Sequence, residues 1–304
     1  MQTTRWSDEE RKNLDEAISK ICSYKEDEDS ETGDKNFKFK KIFVENQRIF
    51  LNSREVIFNY IEFSYDSIVS GELPIVDRTT VKEGFIIIYL ANNRIYYIIN
   101  KYSGAESLLR KFSGYKGKKN KIVSSMLDFS SDFFIWLIEK IYNKDNVLEN
   151  SKNDEIIIKS IKGFKGNTDD FLNKVAADGE TIMNIISTLS FLLESKNLNQ
   201  IRIDLEYATH NNIELTLNRK KISTLSVEVK NYRGSLNSEI SGDYLLKTKL
   251  ILITYVELLP EIFQIYQEEK KQEFWTKEKY NTFINRVGDD LMSRIKEKMK
   301  KEID

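Results

Sequence analysis

The sequence predicts an α+β protein with antiparallel or mixed sheets flanked by helices, and a carboxy-terminal α-β-β-β-α unit followed by further helices. Three observations carry this expectation. Residues 200–230 hold three successive runs with apolar residues at alternate positions, the period of a strand buried on one face. Earlier, two β-branched and aromatic runs, 85–89 (FIIIY) and 94–99 (RIYYII), are separated by Ala91-Asn92-Asn93, a hairpin signal. Apolar residues at helical spacing fill 128–142 and 277–300.

Element by element, Ser7 with Glu10 three residues on reads as a capping box for a helix over 7–24, with Leu14, Ile18 and Ile21 on its buried face. Residues 25–36 (KEDEDSETGDKN) are polar throughout and read as an exposed loop. The alternation at 37–44 predicts a strand, and the spacing over 54–69 (REVIFNYIEFSYDSIV) predicts a helix closed by Gly71 and Pro74. After the hairpin come a short helix over 105–112 and a helix over 128–142 capped near Ser130 or Ser131. A strand is expected at 155–161, and one long or two shorter helices over 168–194, interrupted at Gly179. The strands at 200–207, 212–218 and 222–230 follow, then helices over 244–258, 260–273 and 277–300. Pro260 lacks the N–H that a helix interior needs, so it is expected to start a new helix.

At 304 residues the chain suits one large domain or two of about 150 residues each. The polar stretch 143–154 is the best boundary, separating an amino-terminal α+β region, 1–145, from a carboxy-terminal region, 150–304. Lys+Arg 47 against Asp+Glu 48 leaves a formal net charge of -1. No stretch approaches the ~18 apolar residues that a membrane span needs, and 1–10 (MQTTRWSDEE) lacks the apolar core of an export signal. The expectation is therefore a soluble, cytoplasmic protein with no membrane partner.

Cys22 and His210 are the chain's one cysteine and one histidine. They exclude an internal disulfide and a zinc site built from Cys and His, which needs several such ligands. Any Ser-His-Asp triad would have to run through His210. Carboxylate, lysine, tyrosine and divalent-metal chemistry remain.

In the three late strands, Ile201, Ile203, Leu205, Ile213, Leu215, Leu217, Leu225, Val227 and Val229 alternate with Asp204, Glu206, Glu214, Thr216, Ser226, Glu228 and Lys230. Glu228 and Lys230, two apart on a strand, would project from one face. A three-residue loop at 219–221 would set Glu214 opposite Ser226 and make Glu228 its diagonal neighbour, roughly 7 Å away.

The segment Val227-Glu228-Val229-Lys230-Asn231-Tyr232-Arg233-Gly234 resembles the hydrophobic-E-x-K-N-Y-x-G stretch of PD-(D/E)XK nucleases, particularly their nuclease-related and Mrr-like restriction branch. The resemblance implies a metal-dependent nuclease, of the kind common in bacterial restriction and phage defence. Carried over, Glu214 and Glu228 would be the magnesium ligands, Lys230 would position or activate the attacking water, and Glu180 would supply a further acid. Glu214 stands where that superfamily usually has aspartate, and no Pro-Asp or Gly-x-Asp precedes it. Equally, a half-solvated sheet requires a polar face, and a Glu-Lys pair on it can be a surface ion pair worth under ~1 kcal/mol.

Arg110, Lys111, Lys116, Lys118, Lys119 and Lys121, interleaved with Phe112 and Tyr115, form a basic stretch suited to nucleic acid, or simply a charged surface loop. His210 is expected in an exposed turn, and Asp128 and Asp132 as helix-start partners. The helix over 277–300 presents Tyr280, Phe283, Ile284, Val287, Leu291 and Ile295 to the body, to a protein partner or to a second copy. The sequence thus supports two functions: a magnesium-dependent nuclease, or a non-catalytic adaptor or sensor binding nucleic acid or protein in a multi-gene system.

Overall fold

The computed structural model describes residues 2–26, 32–101, 103–115, 117, 120–149, 155–167, 174–178, 193, 197–240 and 242–301. It is an α+β fold, and the chain divides into two compact units, residues 1–126 with 242–253, and residues 127–241 with 254–304.

Unit 1 is built on an antiparallel sheet of strands β1 (Gln2–Asp8), β2 (Gly33–Lys41), β3 (Gln47–Leu51), β4 (Arg54–Ile68), β5 (Thr79–Ala91), β6 (Arg94–Ile99) and β7 (Ile122–Ser124). Spatially, β1 pairs β6, β6 pairs β5 and β5 pairs β4. Along its other edge the long β4 pairs β3 through its first half and β2 through its second. Helices α1 (Leu14–Cys22), α2 (Ile75–Arg78) and α3 (Ala105–Phe112) join these strands, and the later helix α6 (Asp243–Ile253) also belongs here.

The expected helix over 54–69 is strand β4 instead. Phe63 and Tyr65 on one side belong to a ring cluster with Tyr24, Phe37, Phe39 and Phe112, while Tyr60 and Glu62 on the other meet Lys247 and Tyr244 of α6. A strand covered on both faces is continuously apolar and gives no clean period of two. The capping box is also corrected. Ser7 lies on β1, and Asn13 caps α1 by accepting from the Glu16 backbone N–H at 3.0 Å, although Leu14, Ile18 and Ile21 are buried as expected. Asn92 and Asn93 form the two-residue turn of the β5–β6 hairpin with φ of 51° and 57°, the left-handed backbone of a type I′ turn. Asn52 and Ser53 do the same between β3 and β4, a hairpin unannounced in the sequence because serine is an uncommon occupant.

Unit 2 contains α4 (Ser131–Tyr142) and strands β8 (Val147–Glu149), β9 (Glu155–Asn167), β10 (Lys174–Asp178), β11 (Asn197–Tyr207), β12 (His210–Asn218) and β13 (Thr224–Val227). They pair antiparallel in the order β10-β9-β11-β12-β13, with β8 beside β9. Residues 174–178, inside the segment expected to be helical, are a strand; Gly179 and the other expected helical positions except Leu193 lie outside the described residues. The remaining helices are the one-turn α5 (Leu236–Glu239), α7 (Leu259–Lys271) and α8 (Lys277–Lys301).

Ile201, Ile203, Leu205, Ile213, Leu215, Leu217 and Leu225 are buried, as alternation predicts, and α4 packs on the sheet. Ser130 caps α4 by accepting from the Phe133 N–H at 3.0 Å. Phe133 and Trp136 carry its buried face to Tyr266 of α7. Pro260 occupies the first turn of α7, which follows the π-helical turn Thr254–Leu258 without a break and with Leu258 in right-handed helical backbone, so the proline is accommodated beside a π-helical turn rather than at the separate helix start expected. On α8, Phe283 and Val287 are buried while Met292, Ile295 and Met299 are exposed.

Candidate functional site

The resembling segment sits at the end of β13. Asn218 faces Thr224, Thr216 faces Ser226 and Leu215 faces Val227, so the β12–β13 connection spans five residues, 219–223, rather than three. Two residues of extra slack shift the register by two. Glu214 therefore does not face Ser226; the Glu228 N–H donates to the Glu214 carbonyl at 3.0 Å, placing the two glutamates directly opposite each other. Asp204 faces Glu214 from β11 in turn, and Ser160 faces Asp204 from β9. Three strands and the residue just past the end of β13 thus line up a row of polar side chains across the face opposite the core.

Each inner carboxylate in that row is engaged by its neighbours. Asp204, buried, accepts from the Ser160 hydroxyl at 3.1 Å and meets Lys162 at 3.2 Å. Glu214 has Arg202 Nε at 3.8 Å from one oxygen and accepts from the Asn231 amide at 2.7 Å on the other. Glu206 pairs with Lys159 at 3.4 Å. Glu228 is exposed.

Strand β13 stops at Val227, and Val229–Asn231 forms a 3₁₀ turn. Lys230 is exposed on that turn, so Glu228 and Lys230 do not share a strand face as expected. Among the described residues no group of three or more His, Cys, Asp or Glu is arranged to hold a metal ion. Glu180 lies outside the described residues. Asp204, Arg202 and Asn231 are the members of the arrangement not singled out from the sequence. Asp204 was legible as a polar-face residue, but its alignment with Glu214 depends on register, which composition does not set.

The turn after Lys230 is fastened to the start of β12. Asn212 exchanges backbone hydrogen bonds with Arg233 at 2.9 and 3.0 Å, and its amide donates to the Asn231 carbonyl at 2.9 Å. His210 is buried there rather than exposed in a turn. Its Nδ1 lies 2.7 Å from the Tyr232 hydroxyl in a hydrogen bond whose direction the imidazole tautomer sets, and that hydroxyl also accepts from the Leu236 N–H at 3.3 Å.

Burial disfavours the charged imidazole and lowers the His210 pKa, with Glu239 opposing. A histidine depressed in the folded state takes up its proton more readily once unfolded. Its contribution is therefore fully present above the unfolded value of about 6.5 and is lost as pH falls below it. The urea midpoint should drop between about pH 7.5 and about pH 5.5, and drop less in His210→Gln. Equal drops in the two proteins would contradict this account.

Of the basic stretch, Lys116, Lys118 and Lys119 lie outside the described residues. Arg110 pairs with Glu106 at 3.6 Å and Lys121 with Glu10, while the Lys111 ammonium lies over the Phe37 and Tyr24 rings at 5.2 and 5.9 Å. Each described cation of the stretch thus has an acidic or aromatic neighbour in its own unit. The described residues contain no helix long and apolar enough to cross a membrane. No family model matches the chain, and no curated protein is detectably similar to it.

Proposed function

We propose that the chain is a non-catalytic α+β binding module, of the adaptor or sensor kind, that docks a protein partner through the tip of the β4–β5 hairpin. The observation that carries this reading is the tip itself. Val69, Leu73, Ile75, Val76 and Val81 are each more than half exposed, with Val76 at 83%. Scattered single apolar residues need no explanation, but several grouped at one end of a hairpin, four on its connection and Val81 on the adjoining part of β5, mark an interaction site. The backbone beneath them is already ordered. Arg78 donates to the Leu73 carbonyl at 2.6 Å and to the Val69 carbonyl at 2.7 Å, and the Val69 N–H donates to the Arg78 carbonyl at 3.1 Å. Preorganisation of this kind lowers the entropy that binding must overcome. Glu72 and Asp77 are exposed around the tip, so the complementary surface is an apolar groove with a basic rim.

The surroundings of Glu214 support binding over catalysis, since the Asn231 amide occupies one of the oxygens that a magnesium ion would require and the Arg202 guanidinium lies 3.8 Å from the other. One observation favours the second reading, a magnesium-dependent nuclease. Glu214 and Glu228 face each other directly, closer than the diagonal arrangement the sequence suggested. The two readings diverge in a cleavage assay with magnesium, manganese or EDTA on single- and double-stranded DNA and RNA. No metal-dependent cleavage is expected. Cleavage that disappears in Glu228→Gln and Lys230→Ala would establish the nuclease instead. In parallel, Val76→Asp is expected to leave the fold intact and abolish photo-crosslinking from residue 75 to a partner protein in cells, and an unchanged crosslink would refute the docking tip.

A further inference from the structure

Unit 2 holds a cavity of about 470 Å³, within the range of small-molecule sites. Its walls include Asp132 from the first turn of α4, Lys270 from α7, and Thr276, Lys277 and Tyr280 at the start of α8, with Trp275 between those helices. Asp132 organises it. The carboxylate accepts from the Trp275 indole N–H at 3.1 Å and the Tyr266 hydroxyl at 2.5 Å, with the Lys270 ammonium at 3.5 Å. Trp275 is itself buried, its indole N–H spent on Asp132, so the ring surface open to the cavity is that of the half-buried Tyr280. Tyr280 meets it edge to face, with centroids 6.4 Å apart. Lys270 balances Asp132, so Lys277, which has no carboxylate partner among the described residues, leaves the cavity with one surplus positive charge.

A ligand suited to these walls has a flat ring, a hydrogen-bond donor for Asp132 at one end and an anion for Lys277 at the other. A plain aromatic acid fails at Asp132 for want of a donor, and an inorganic anion fails to use the rings. We propose that the cavity binds a mononucleotide: its base lies against the Tyr280 ring, which the buried Trp275 backs, its exocyclic amine donates to Asp132, and its phosphate pairs with Lys277. Stacking of a base on aromatic side chains and phosphate capture by a lysine are both established modes. This site is separate from the hairpin tip and stands or falls independently of the docking reading.

The test is calorimetric titration of the full chain with AMP, CMP, UMP, adenosine and inorganic phosphate. AMP and CMP are expected to bind. UMP, which presents a carbonyl where CMP presents an amine, should bind at least tenfold more weakly, and phosphate alone should give no measurable heat. Lys277→Glu lies on the surface and should weaken AMP at least tenfold while leaving adenosine unchanged. Tyr280→Ala should weaken AMP and adenosine together. The proposal is overturned if neither AMP nor CMP binds at millimolar concentration, if UMP matches CMP, or if Lys277→Glu leaves AMP affinity unaltered.

Discussion

Asp8→Ala is expected to destabilise unit 1 by roughly 3–5 kcal/mol, the cost of leaving buried donors and a cation without their acceptor. Asp8 closes β1 and is almost fully buried. One of its oxygens accepts from the backbone N–H groups of Glu10 and Arg11 at 3.0 and 2.9 Å, shaping the turn that leads to α1. Tyr115 donates to that oxygen at 3.0 Å and Tyr97 to the other at 2.8 Å. Arg11 approaches at 3.8 Å and lies over the Tyr115 ring at 4.7 Å. Strand, turn and two distant tyrosines therefore meet at one carboxylate. Asp8→Asn keeps one oxygen for the turn but presents an amide to the other donors, so it should fall between the natural protein and the alanine variant. Tyr97→Phe removes a single donor and should cost about 1 kcal/mol. Urea unfolding of the three variants checks the order, and an alanine variant within about 1 kcal/mol of the natural protein would remove Asp8 from this role.

Parts of this architecture governed by local chemistry were legible in the sequence. Ser130 as a helix cap, Asn92-Asn93 as a turn, and the alternation of Ile201, Ile203 and Leu205 each report a constraint set within a few residues. Features set by tertiary partners were not. The 54–69 segment reads as a helix because coverage on both faces of β4 erases the period that marks a strand. Strand β1 was missed because Thr3, Thr4, Ser7 and Asp8 are polar yet buried, satisfied by neighbours such as the Lys101 carbonyl, which accepts from Thr4 at 2.6 Å. At the candidate site, which residues share the polar face was readable from alternation. Their opposition was not, because two further residues in the 219–223 connection moved Glu228 from diagonal to directly opposite Glu214. Lys230 left the strand for the same kind of reason. The 3₁₀ turn that carries it is held by Asn212 and Tyr232, partners separated from one another by twenty positions in the chain.

Gly234→Ala is expected to dislodge that turn. An added β-carbon would stand 2.8 Å from the His210 Cα, 2.8 Å from the Thr209 carbonyl oxygen and 2.5 Å from the Tyr232 hydroxyl. Two of these three neighbours are backbone atoms that cannot rotate aside, so relief requires the 231–235 segment to move off the start of β12. Overpacking of this kind costs about 1–3 kcal/mol. The movement would also strain the His210–Tyr232 hydrogen bond and the Asn212–Arg233 bridge, which together place Asn231 against Glu214. Glu214 would then lose the amide on one of its oxygens. If the arrangement acts as a unit, Gly234→Ala should lower the urea midpoint and also shift the backbone amide resonances of Glu214 and Glu228, whereas Tyr232→Phe should reproduce the spectral change with a smaller loss of stability. A Gly234→Ala protein with native stability and unmoved Glu214 and Glu228 resonances would show that the turn and the carboxylate row are independent.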